Sequence, residues 1–233
     1  MRPRLIFEGL ATGILCAAAT VGTAPVLGIA ALWAAFLYMS GPLTGGYYNP
    51  ALTLALWMRR RLSGSAALIY VGVQLAAALV AILLMAAVTE RNPDRAKDTI
   101  EALSQNTFNG WTATGVVEFF GTFLLVMVLL MVTTSRLTAG NSYYGIAIAA
   151  VILGYTQTFA EFSPMLNPVL DFANLIQGPI SSLFAEGEVT KGFLSELTLM
   201  AKLTPRVLYD VATQFAGAAC AAWVFRRMFP EEI

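Results

Sequence analysis

Apolar residues in this chain gather in long runs instead of alternating with polar ones. Six runs, at residues 5–22, 25–40, 65–88, 113–134, 143–159 and 206–225, approach or exceed the roughly 20 residues that a helix needs to cross a bilayer. Two shorter apolar runs, at 50–57 and 168–176, each begin directly after an Asn-Pro pair. Asn is a favoured helix N-cap, and Pro suits the first helical position because its missing N–H would find no partner there. The pattern therefore predicts six spans and two half-helices. Arg59-Arg60-Arg61 is expected to close the first half-helix and Gly178-Pro179 to stop the second. Residues 89–110 read as a polar loop of mixed charge.

The pattern repeats. Glu8-Gly9-Leu10-Ala11-Thr12 in the first span parallels Glu118-Phe119-Phe120-Gly121-Thr122 in the fourth. Gln74-Leu75-Ala76-Ala77-Ala78 in the third parallels Gln214-Phe215-Ala216-Gly217-Ala218 in the sixth. The offset is 110 residues at the glutamates, 118 at the Asn-Pro pairs and 140 at the glutamines. Three spans per half is an odd number, so the halves face opposite ways, as in transporters built from inverted repeats. The chain divides into a first repeat at 1–88, a connecting loop at 89–110 and a second repeat at 111–233, together one membrane domain. The growing offset assigns 22 additional residues to an insertion at about 179–203. There Val189, Phe193, Leu197 and Met200 recur like one face of a short helix over 187–203, lying at the interface or over its own channel.

Composition agrees. Of 233 residues, 58% are hydrophobic and 12% charged, against about 25% charged in soluble domains. The formal net charge is zero, so nothing points to nucleic acid. There is no histidine, which removes the commonest metal ligand and general base, and no nucleophile, base or metal cluster converges. An enzyme and a bound cofactor are therefore not expected. Cys16 and Cys220 lie far apart in apolar runs and read as small core residues. The apolar N-terminal run contains Glu8 and has a later copy, so it reads as a span and not a signal peptide.

Asn49-Pro50-Ala51 and Asn167-Pro168-Val169, with the paired Glu8 and Glu118, resemble the boxes of the aquaporin (major intrinsic protein) family. The resemblance implies half-helices entering from opposite sides and meeting at their N-termini. It implies that the Asn49 and Asn167 amides donate to a passing molecule at the pore centre, where the helix dipoles disfavour cations. It implies that Glu8 and Glu118 accept hydrogen bonds from the loops carrying the boxes, and that the protein is a homotetramer with one pore per subunit. Gln74 and Gln214 are expected to serve similar polar packing.

Selectivity is where the sequence departs from the family. Most aquaporins carry Arg three residues after the second Asn; here that residue is Leu170. The other filter positions fall at Tyr155, at Pro164 and within Leu27-Gly28-Ile29, with Ile29 taken as the span-two member. Such a ring is mostly apolar and could pass neutral solutes or act as a dewetting gate. Asp171 in the first turn of the second half-helix reads as favouring its dipole. Tyr47 and Tyr48 read as lining a vestibule or packing at the interface.

Basic residues in short loops (Arg2, Arg4, Arg59, Arg60, Arg61, Arg136, Arg226 and Arg227) favour both termini in the cytoplasm, as the resemblance also implies, and a multi-pass place among lipid in the plasma (cell inner) membrane is expected. The function expected is passive conduction of water or a small uncharged, glycerol-like solute. The alternative is a non-conducting subunit of the same fold docking to another membrane protein through 179–203. A third reading, a proton-coupled transporter using Glu8 and Glu118, requires those carboxylates to face a water-filled cavity.

Overall fold

The computed structural model describes residues 2–20, 26–88, 108–184 and 189–232, all helical or irregular. Its helices are α1 (Arg2–Thr20), α2 (Val26–Thr44), α3 (Pro50–Met58), α4 (Gly64–Val88), α5 (Phe108–Thr134), α6 (Tyr144–Thr158), α7 (Pro168–Ser182) and α8 (Val189–Met228). Short 3-10 turns stand at Arg136–Thr138, Ala160–Phe162 and Pro230–Glu232. On length and apolarity alone α2, α4, α5 and α8 can cross a membrane. Arg2, Arg4 and Glu8 dilute the apolarity of α1, and α6 has only 15 residues. Leu68, Leu84, Val88, Ile146 and Trp223 are more than half exposed and face outward, as lipid-facing side chains do.

The contacts repeat with the sequence. α1 packs on α4 as α5 packs on α8, and α1 on α2 as α5 on α6. Each half-helix leans on the long helix of the other half, α3 on α8 and α7 on α4. Exchanging the halves returns the same set of neighbours, so the two repeats wrap around α3 and α7. The core follows that axis: Tyr48, Ala51, Leu52, Ala55, Leu125, Leu129, Leu166 and Ala218 are buried in one cluster.

Several boundaries differ from those the hydropathy predicts. α7 does not stop at residue 176 but passes through Gly178-Pro179 to Ser182. Gly178 serves close packing instead: a Cβ there would lie 2.3 Å from Glu196 Oε2 of α8. The insertion does not form its own short helix. Its residues up to Ser182 complete α7, and from Val189 it is the first portion of α8, a single helix of 40 residues through Pro205. At 1.5 Å per residue α8 is about 60 Å long, twice the hydrocarbon thickness. Glu196 and Leu199 are buried on the same stripe as Asp210 and Gln214, so packing carries one helical face through the proline. α2 runs on to Thr44 through Pro42, and α5 begins at Phe108, inside the segment expected to be loop. The rest of that loop, 89–107, lies outside the described residues.

Candidate functional site

Each half-helix starts with the same cap. Asn49 Oδ1 accepts from Ala51 N at 2.8 Å and Leu52 N at 3.4 Å, and Asn167 Oδ1 accepts from Val169 N at 3.2 Å. Pro50 and Pro168 occupy the first helical position. With the oxygens spent on the caps, the amide nitrogens reach across the dyad. Asn49 Nδ2 donates to the Leu166 carbonyl at 2.8 Å, and Asn167 Nδ2 donates to the Tyr48 carbonyl at 3.0 Å. The two acceptors stand directly before the opposite Asn, and both are left-handed, with φ of 48° at Tyr48 and 53° at Leu166. Such a backbone is costly for residues with a Cβ and persists only where its surroundings over-determine it. Here it turns the carbonyl toward the partner's amide. Each amide has two N–H groups and spends one on this lock.

The loops that hold these strained residues are tied to buried carboxylates. Glu8 Oε1 accepts from Tyr48 N at 2.6 Å and Gln74 Nε2 at 2.8 Å. Glu118 accepts from Met165 N at 2.7 Å, Leu166 N at 3.0 Å and Gln214 Nε2 at 2.9 Å. An acceptor for these N–H groups offsets their desolvation, which explains acids in spans that would otherwise exclude them. Glu8 Oε2 and Gln74 Oε1 are buried and unpaired.

The same layer contains two residues that fall four positions after each Asn, Thr53 and Asp171. Gln74 Nε2 donates to Thr53 Oγ1 at 3.1 Å, and Gln214 Nε2 donates to Asp171 Oδ2 at 2.7 Å. Asp171 stands in the first turn of α7 as the sequence suggests, and its hydrogen-bond partner there is a glutamine of α8. Thr53 is missed by reading motifs singly; setting the two boxes one above the other would have found it.

The expected filter residues are scattered in their surroundings. Leu170 is buried in an apolar cluster with Cys16, Ala78, Ile82, Val169 and Ala173. Pro164 is buried, Ile29 is half-buried against the core, and Tyr155 donates its hydroxyl to the Val117 carbonyl at 2.8 Å. Tyr47 and Tyr48 are both buried. Tyr48 is fully buried and bonds Ser40 Oγ and the Phe36 carbonyl, and Tyr47 packs on Tyr70 with ring centroids 5.1 Å apart. A cavity of about 550 Å³ opens beside the first box, lined by Leu37, Gly45, Tyr47, Leu56, Arg61 and Asn141 among others.

The Major intrinsic protein family matches residues 5–185, which spans α1 through α7. The chain belongs to this family. Relatives include human aquaporin-5, 29% identical over 173 residues, covering 72% of this chain and 64% of that protein. The probable aquaporin AqpM of Archaeoglobus fulgidus is 27% identical over 216 residues, covering 91% of this chain and 76% of that protein. Rice probable aquaporin PIP2-7 is 29% identical over 139 residues, covering 57% and 47%. The chain thus spans less than two thirds of the first of these relatives. Major intrinsic proteins are channels and not enzymes, and the inverted pair of half-helices is the aquaporin fold.

Proposed function

We propose that this protein is a passive channel for water or a small uncharged, glycerol-like solute, which passes the Asn49 and Asn167 amides in single file. The reciprocal lock between the two boxes carries this reading. It fixes two amide donors head to head at the positive ends of two half-helices, and each keeps an N–H for a passing oxygen. Fixed donors replace the solute's lost water contacts, while the dipoles disfavour cations. Family membership supports this reading, since the relatives are named as aquaporins.

Tyr155, Pro164, Leu170 and Ile29 form the constriction in this proposal. With Leu170 where a guanidinium is usual, the ring offers few donors, so it favours neutral solutes over strict water selectivity. Both termini face the cytoplasm of a plasma (cell inner) membrane, and the protein is a homotetramer. Light scattering of proteoliposomes after an osmotic step, with water, glycerol and urea gradients, tests this. Wild type should exceed empty liposomes and Asn49→Ala/Asn167→Ala should lose most of the gain; equal rates for all three would sink the proposal.

A second reading, a non-conducting subunit of the same fold, is favoured by one observation. Asn49 and Asn167 are both 0% exposed, so the centre is shut to a water-sized sphere in this conformation. Its docking surface would be the segment at 179–203, where Leu183, Phe184 and Leu194 are exposed. Folded protein that conducts no solute would select it.

A further inference from the structure

The second half holds one more buried acid than the first. Gln214 Nε2 donates to Asp171 Oδ2 at 2.7 Å and Glu118 Oε2 at 2.9 Å. Two acceptors on the two N–H groups of one nitrogen lie about 5 Å apart. Glu118 is 4% and Asp171 8% exposed, in surroundings that screen charge poorly. Like charges so placed do not both ionise readily.

The other groups around the pair offer little compensation. From α8, Arg206 Nε is engaged by Asp210 Oδ2 at 3.6 Å, and Asp210 also accepts from Thr114 of α5 at 3.3 Å. Glu196 of α8 sits at the far end of α7, beside Gly178. From α6, Tyr155 donates to Val117, next to Glu118. On the α1 and α4 side the packing is apolar, with Cys16 its titratable member. From α3, the residue of this layer is the neutral Thr53.

The hydrogen bonds also say which acid is neutral. Glu118 accepts three donors on both oxygens, an arrangement that suits a carboxylate. Asp171 accepts one, on Oδ2. Gln214 Oε1 is buried without a hydrogen-bond partner, as Gln74 Oε1 is in the first half, so the count of donors and not that oxygen separates the two acids. A carboxylic acid accepts an amide N–H on its carbonyl oxygen while keeping its own proton, so a single donor on Oδ2 suits a neutral Asp171.

We propose that Asp171 is a positioning residue that holds a proton and seats the N-terminus of α7 as a neutral acid accepting from Gln214. Glu118, with its three donors, then anchors the loop before Asn167. On the channel reading, a neutral Asp171 leaves the positive end of α7 unopposed beside the solute path.

Infrared spectroscopy of the purified chain at neutral pH tests the assignment, and it reads protonation whether or not the protein conducts. The wild-type minus Asp171→Asn difference spectrum should contain the C=O stretch of a protonated carboxylic acid. That band should persist in Asp210→Asn and shift when aspartate carries heavy-carbon carboxyl groups. Asp171→Thr, which copies Thr53, is the second variant and should remove the same band. A difference spectrum holding carboxylate bands alone, or a wild-type acid band that aspartate labelling does not shift, overturns the proposal; the labelling arm needs no substitution.

Discussion

The two halves of this molecule solve one packing problem with small residues on opposite partners. In the first half the crossing of α1 and α4 is relieved from α1: a Cβ on Gly13 would meet the Ala77 carbonyl oxygen at 3.4 Å, ordinary contact, and one on Gly9 would meet Val73 Cγ1 at 3.3 Å. In the second half it is relieved from α8: a Cβ on Gly217 would lie 2.3 Å from the Phe119 carbonyl oxygen and 3.2 Å from Phe123 N. The matching residue in the first half is Ala77, and those facing Gly217 match Gly9 and Gly13. The second crossing is closer and rests on backbone, which cannot step aside. A repeat conserves the contact, not the residue that makes it.

The polar layer differs in the same way. Both halves hang their strained box residue from a glutamate and a glutamine. The first half completes the layer with Thr53, a hydroxyl, and the second with Asp171, a carboxylate. At full hydrogen-bond geometry the second glutamate receives three donors against two for the first, where Tyr47 N is a weaker third.

That difference sets the order of expected effects. Glu118→Ala should be the most damaging, since it strands Met165 N, Leu166 N and Gln214 together; a loss of about 3–5 kcal/mol is expected, as for breaking other buried charged networks. Glu8→Ala should cost less. Melting in detergent, followed by loss of the monodisperse peak, ranks the two, and the reverse order would break the asymmetry drawn here. Gly217→Ala comes next, at about 2–3 kcal/mol, because backbone must shift to admit one carbon.

Smaller effects sharpen the comparison. Val169→Ala makes the second box identical to the first; Val169 is fully buried, and removing its methyls should cost about 1–2 kcal/mol in the same assay. Gly13→Ala should change stability by less than about 0.5 kcal/mol or raise it, since Ala is the better helix former and meets only ordinary contact. A Gly13→Ala protein that melts as early as Gly217→Ala would show that the two crossings are equally tight.

Much of this architecture was legible in the chain because it depends on local chemistry. An Asn-Pro pair before an apolar run caps and starts a helix from its own side chains, and both half-helices begin at the expected residue. Glutamates inside apolar runs had to find donors, and the resemblance to the aquaporin family pointed to the box loops. The helix ends were harder to read. Gly178-Pro179 and Pro205 look like breaks in isolation, yet α7 and α8 continue through them because the faces they share reward continuation more than a missing hydrogen bond costs. Asp171 was legible as an acid in a first turn; that its partner is Gln214, 43 residues away, was not.

Spacing, capping and desolvation act along the chain, and they were enough to read the membrane class, the inverted repeat and both half-helix starts. It took the packed halves to show that each Asn bonds the carbonyl before the other, that Tyr48 and Leu166 are left-handed, that Leu170 is buried among apolar side chains, and that one Gln214 nitrogen joins Asp171 to Glu118. Those are relations between segments more than 40 residues apart, and they are fixed by how two repeats close on one another.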